Sequence, residues 1–121
     1  MAYDEFLADR IRQSLYNKQV HFSEKKMMGG ICFKVDRKML CWTHINKNYG
    51  DSLLMVRIGE IAYNKSITKP ECLPMDFTGR PMKGYAYITP EGFDTDNELD
   101  YWLDLCLAFN PLAKKSKAKN K

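Results

Sequence analysis

The sequence predicts an α+β fold: a helix at each end and, between them, short strands joined by tight turns, with one short helix among them. Three observations carry this. Apolar residues recur at helical spacing near both ends of the chain. The middle holds short β-branched and apolar runs. Glycines and prolines punctuate those runs in two phrases, Lys25-Lys26-Met27-Met28-Gly29-Gly30-Ile31 and Met75-Asp76-Phe77-Thr78-Gly79-Arg80-Pro81-Met82-Lys83-Gly84-Tyr85, which read physically as turns that set a small sheet.

The first helix is expected from Tyr3 to about Lys18. Tyr3, Leu7, Ile11 and Leu15 recur every fourth residue with Phe6 alongside, which gives one apolar stripe. Asp4 and Glu5 stand in the first turn and Arg10, Arg12 and Lys18 follow, an order that suits the helix dipole. Weak alternation from Val20 to Met28 is broken at Gly29-Gly30. The runs 31–35 and 38–44 then flank Asp36-Arg37 as a tight hairpin. With a two-residue loop, Ile31 faces Trp42 and Phe33 faces Leu40 on one side, and Cys32 faces Cys41 on the other. Arg37 suits a positive φ poorly, so a longer loop stays open.

A polar loop is expected over 45–52, followed by the most strand-like run, 53–58, which ends at Gly59. A short helix fits 60–67. Pro70 and Pro74 argue against regular structure between them. The runs 75–78 and 84–88 flank Gly79-Arg80-Pro81 as a second hairpin-like unit. The last helix starts near Thr95, where Thr95 and Glu98 have capping-box spacing. Leu99, Trp102, Leu103, Cys106 and Phe109 or Asn110 form its buried stripe, Asp96, Asp100 and Asp104 a solvated face or a docking surface for a basic partner, and Pro111 its end.

The 121 residues make one domain by size, and 45% hydrophobic with 28% charged residues describes an ordinary globular chain. The longest uncharged run, 105–113, is far short of the roughly 20 residues of a membrane helix, and the acidic start lacks the apolar core of a signal peptide. A cytoplasmic protein with no membrane contact is expected. Net charge is +4, but the last eight residues hold Lys114, Lys115, Lys117, Lys119 and Lys121 and no acid. Without them 14 basic residues meet 15 acidic ones, so the body is close to neutral. The folded domain is expected over 1–112, with 113–121 a lysine-rich tail without fixed structure.

The phrases Lys25-Lys26-Met27-Met28-Gly29-Gly30-Ile31-Cys32-Phe33, Leu54-Met55-Val56-Arg57-Ile58-Gly59 and Met75 to Tyr85 fall in the order and spacing of the amino-terminal domain of the competence regulator TfoX, also called Sxy. Trp102 and Leu107-Ala108-Phe109 in the last helix are also similar. The sequence therefore resembles that family over residues 1 to about 112, as a single-domain member. The resemblance implies an antiparallel sheet of five to six strands covered by an N-terminal helix, a C-terminal helix and a short middle helix, similar to secretion-chaperone-like folds. It also implies a bacterial regulatory role: full-length TfoX proteins are linked to switching on DNA-uptake genes alongside the cyclic-AMP receptor protein. Those proteins carry a second, carboxy-terminal domain, where this chain has only its lysine tail, so the resemblance carries over no role that needs that domain.

No residue cluster announces a reaction, a cofactor or a metal. The four cysteines, Cys32, Cys41, Cys72 and Cys106, lack metal-ligand spacing and read as reduced, buried thiols, with a Cys32–Cys41 disulfide conceivable under oxidation. Cys41 and His44 are spaced as Cys-x-x-His but point to opposite faces of a strand. His21 has no partner that would make a triad. The 75–85 phrase offers the strongest contact site: Gly79, Arg80, Lys83 and Gly84 could present backbone N–H groups and two positive charges to a phosphate or carboxylate. Arg57, inside an apolar strand, calls for a carboxylate, with Asp76 the candidate. An enzyme would have to assemble scattered groups such as Asp76, Arg57, Arg80 and Tyr85. The reading is a non-catalytic regulatory or protein-interaction module, with a protein partner that includes a second copy of itself or a transcription-regulatory partner. The alternative is weak, non-specific nucleic-acid binding through the tail lysines.

Overall fold

A computed structural model of the protein describes residues 3–27, 29–46, 50–74 and 84–113. The elements run α1 (Glu5–Asn17), β1 (Ser23–Met27), β2 (Gly30–Val35), β3 (Lys38–Asn46), β4 (Asp51–Arg57), α2 (Gly59–Ser66), β5 (Cys72–Pro74), β6 (Tyr85–Ile88) and α3 (Asp96–Phe109). The six strands form one sheet in the order β1-β2-β3-β4-β6-β5, and every neighbouring pair is antiparallel. The α+β class and the helices at each end agree with the sequence.

Both faces of the sheet are apolar. One buries Ile31, Phe33, Leu54, Val56 and Ile88 against Leu7, Ile11 and Leu15 of α1 and Leu99, Trp102 and Leu103 of α3. The other carries a smaller buried cluster of Cys32, Trp42, Leu53, Met55 and Tyr87. This is why β4 reads as a continuous apolar run rather than an alternating one: a strand buried on both faces has no solvent side to mark. The sheet's edges are blunted. Glu24, Lys25 and Lys26 lie exposed on β1, and β5 is a three-residue strand that ends at a proline.

The 36–37 loop does have two residues, with φ of 56° at Asp36 and 63° at Arg37. The predicted register is nevertheless wrong beyond the first two pairs. A bulge between Phe33 and Lys34 pairs Ile31 with Thr43, Cys32 with Trp42 and Phe33 with Cys41. Leu40 becomes the extra residue on β3, and both Leu40 and Cys41 enter the main core. Cys32 and Cys41 therefore lie on opposite faces. Two further expectations are corrected. The expected 45–52 loop is shorter, because β3 and β4 pair as far as Asn46 and Asp51. The segment between Pro70 and Pro74 contains edge strand β5, paired with β6, since an edge tolerates a missing backbone donor. The 75–78 arm of the second hairpin lies outside the described residues.

The two terminal helices are capped by side chains, that of α3 as predicted. Asp4 caps α1, and Thr95 and Glu98 form the reciprocal capping box of α3, at 3.0 and 3.1 Å. The acidic ladder of α3 does not face open solvent alone. Asp96 meets Arg10 at 3.3 Å, Asp100 accepts from Ser14, and Asp104 meets Lys18 at 2.9 Å. Two four-residue periods thus run along the α1–α3 seam. At the far end of α3, buried Lys38 donates to the Asn110 carbonyl at 3.1 Å, and the Asn110 amide donates to the Val35 carbonyl at 3.1 Å. A cation so placed complements the negative end of the helix.

Gly30 shows why the first glycine phrase is built as it is. The Trp42 indole crosses over it and donates to the Met27 carbonyl at 3.1 Å. A Cβ at position 30 would fall 2.3 Å from the Thr43 carbonyl oxygen and 2.8 Å from the Trp42 ring nitrogen. Gly50, with φ of 89°, has open space around it. Gly30→Ala should therefore cost about 3 kcal/mol, through overpacking against backbone. Gly50→Ala should cost about 1 kcal/mol, through its left-handed conformation alone. Urea melts of the two variants check this, and equal midpoints would contradict it.

Candidate functional site

The turn from β4 into α2 is made at Gly59, whose φ is 87°. The Ile58 and Gly59 N–H groups both donate to the Gly84 carbonyl, at 2.9 and 3.1 Å, which ties the start of α2 to the residue preceding β6. A Cβ on Gly59 would meet the Phe109 ring at 2.5 Å. The absence of a side chain here lets the last turn of α3 close onto the first turn of α2.

That closure leaves an apolar groove of about 480 Å³ between α2 and the C-terminal turns of α3. Ile58 and Gly59 lie buried at its base. Ala62 and Ala108 line it with small side chains. Ile61 and Leu112 stand at 77% and 76% exposure, unusual for large apolar residues whose neighbours are also apolar. Leu105 and Ala108 of α3, with Leu112 in the 3-10 turn that follows it, sit at i, i+3 and i+7, a second apolar stripe beside the one that packs into the core.

Two other concavities are lined by groups that contact one another. In a 270 Å³ pocket, the Lys69 ammonium lies 4.6 Å from the centre of the Tyr101 ring and 5.4 Å from that of Trp102, with a 3.4 Å hydrogen bond to the Tyr101 hydroxyl. A 140 Å³ cleft between α1 and α3 is occupied by the Arg10, Ser14, Asp96 and Asp100 contacts already described. Arg12 joins α1 to the β1 edge through Glu24, at 2.7 and 3.0 Å, and contacts Asp9. These carboxylates hold the Arg12 guanidinium above its ordinary pKa.

Of the residues picked out by the sequence, Arg57 is described and half-buried. Its guanidinium lies 5.5 Å from the centre of the Tyr85 ring and 5.9 Å from that of Phe109, at the end of the groove. Asp76, Gly79, Arg80 and Lys83 lie outside the described residues, as do Lys114, Lys115, Lys117, Lys119 and Lys121. His44 stacks on Trp42 at 4.3 Å and Cys41 enters the main core, so the Cys-x-x-His spacing splits across the sheet as expected. Burial lowers the His44 pKa. Among the described residues no three His, Cys, Asp or Glu side chains are grouped to hold a metal ion, and no helix is long and apolar enough to cross a membrane.

The groove itself escaped the sequence reading. Ile61 and Ala62 register there only as compatible with a helix. The available signal was the second stripe on α3, which the stronger stripe through Trp102 conceals.

Residues 14–110 match the family model for the TfoX N-terminal domain. No curated protein matches the chain.

All four cysteines are buried and free. Burial raises the Cys32 and Cys41 thiols, pushes Cys72 up to about 11 with help from Glu71, and pushes Cys106 up to about 12 against a backbone hydrogen bond from Arg57. Unfolded thiols release their protons around 9.0, while the folded ones keep theirs. Their contribution to stability is thus complete below that value and is lost as pH rises toward 11. Urea midpoints should fall between about pH 8 and about pH 10.5, and fall less in a Cys106→Ala variant. An equal fall in both proteins would contradict this assignment.

Proposed function

The chain belongs to the TfoX N-terminal domain family, and we propose that it is a non-catalytic, cytoplasmic regulatory module that works by holding another protein in the α2–α3 groove. One observation carries this reading. Ile61 and Leu112 are three-quarters exposed on the margins of a continuous apolar surface, and monomeric proteins keep such surfaces small unless something covers them. The chemistry around the groove supports binding over turnover. Its lining is aliphatic and aromatic apart from Glu60, and the cations and acids of the α1–α3 seam are engaged in holding the fold together. Regulation is the role the family suggests, and a docking surface is the means by which a domain of this size exerts it.

A photocrosslinking amino acid placed at Ile61 in the full chain, expressed in its host cell, tests the reading, with the same group at exposed Arg37 as the control. A discrete protein adduct is expected from position 61, absent from position 37 and lost when Ala108→Glu is added. Equal adducts from both positions, adducts to nucleic acid, or none at all would contradict it.

A further inference from the structure

We infer that Lys38 is a positioning residue of the α2–α3 groove: from β3 it fastens the short turn Asn110–Leu112, and so holds Leu112 out as one wall of the groove. The inference rests on the groove being the binding surface proposed above. The burial pattern along the turn points to it. Asn110 and Ala113 are buried, while Pro111 and Leu112 between them are exposed. The turn is thus pinned on both sides and its middle stands outward. A frayed helix end would leave the whole segment open to solvent. Leu112 is exposed because the backbone on either side of it is held.

Polar contacts do the pinning. The Asn110 carbonyl accepts from the Lys38 ammonium at 3.1 Å and from the Ala113 N–H at 3.1 Å, and the Asn110 side-chain amide donates to the Val35 carbonyl at 3.1 Å. One residue therefore ties the turn to the end of β2 and the start of β3, on the two sides of the 36–37 loop. Pro111 stiffens the turn with its fixed φ. A lysine is an expensive way to fill this place. Its side chain is 10% exposed, and Asp36, 3.8 Å away, lies mostly in water. A buried ammonium loses hydration that such a screened pair does not return. An apolar side chain would fill the same space without that loss. What the ammonium adds is a donor and a positive charge at the carbonyl end of α3, where backbone acceptors lack helical partners. With Asn110 fixed, Leu112 stays on the groove that Ile61 and Ala108 also line. A wall already in place spares binding the entropy of ordering it.

The test is a methyl-detected NMR titration of the full chain with indole as the probe, comparing the wild-type chain with Lys38→Met. Circular dichroism checks that each variant folds. In Lys38→Met the indole-induced shift of the Leu112 methyls should fall to less than about half and indole should bind about threefold more weakly, while the shifts of Ile61 and Leu105 persist. The Ala113 amide should exchange about tenfold faster in the same variant. Lys38→Arg keeps the charge and a donor and should retain most of the Leu112 shift. Arg10→Gln removes the 2.7 Å contact with the Phe93 carbonyl near the opposite end of α3 and should leave the Leu112 shift unchanged. Asn110→Ala removes the contact with Val35 and should lower the Leu112 shift in the same way, which keeps the test decisive if Lys38→Met does not fold. Equal losses in Lys38→Met and Arg10→Gln overturn the inference, because the contact then acts only through overall stability. If indole shifts the groove methyls of the wild-type chain and Lys38→Met changes neither the Leu112 shift nor the Ala113 exchange, the role of Lys38 is wrong and the groove reading stands; if the wild-type groove methyls do not shift, both fall.

Discussion

The close approach of Gly59, Gly84 and Phe109 is the constraint on which the candidate site depends. Position 59 must take a left-handed φ to turn β4 into α2, and it must do so under the Phe109 ring. Only glycine meets both demands, because any side chain would be strained by the dihedral and would collide with the ring. Gly84 supplies the carbonyl that accepts from both Ile58 and Gly59, so the start of α2 is held by β6's approach rather than by a capping side chain. The consequence is geometric. α2 and the end of α3 converge at Phe109, and the groove is the space they leave beyond it.

The sheet beneath supplies the rigidity that such a surface needs. It is buried on both faces, so its strands cannot slip by one residue without exchanging one apolar set for another of different shape. The indole of Trp42 over Gly30 and the bulge at Leu40 fix that register further. α3 is held at both ends, by the capping box at Thr95 and by the Lys38–Asn110–Val35 contacts. The ion pairs with α1 add modest energy, since exposed pairs contribute only about 0–1 kcal/mol each; their effect is to fix the sliding position of one helix on the other.

Much of this was legible in the residues. Helical periods gave α1 and α3, Thr95 and Glu98 gave the cap, Gly29-Gly30 gave the first turn, and the glycine phrases gave the family. Failures came where a local rule met a tertiary one. The two-residue loop at Asp36-Arg37 was read correctly, yet the register derived from it slipped, because a bulge costs no local sequence signal. The aspartates of α3 looked solvated because their partners Arg10, Ser14 and Lys18 lie more than eighty residues earlier. Pro74 suggested irregular structure because its edge position depends on where β6 passes. The contact site expected around Arg57, Asp76, Gly79, Arg80 and Lys83 has only Arg57 among the described residues, and there it borders the groove. The groove was hidden for a related reason: a second apolar stripe on one helix means little until the neighbouring helix is seen to leave it uncovered.

The α2–α3 groove is proposed as the surface of this domain that takes another molecule. A methyl-detected NMR titration of the full chain with indole, a small apolar probe with no charge preference, tests it most directly. Shifts should concentrate on the methyl groups of Ile61, Ala62, Leu105, Ala108 and Leu112 and saturate together. Shifts scattered over the surface, or centred on the face of the sheet that carries Trp42 and Met55, would contradict it.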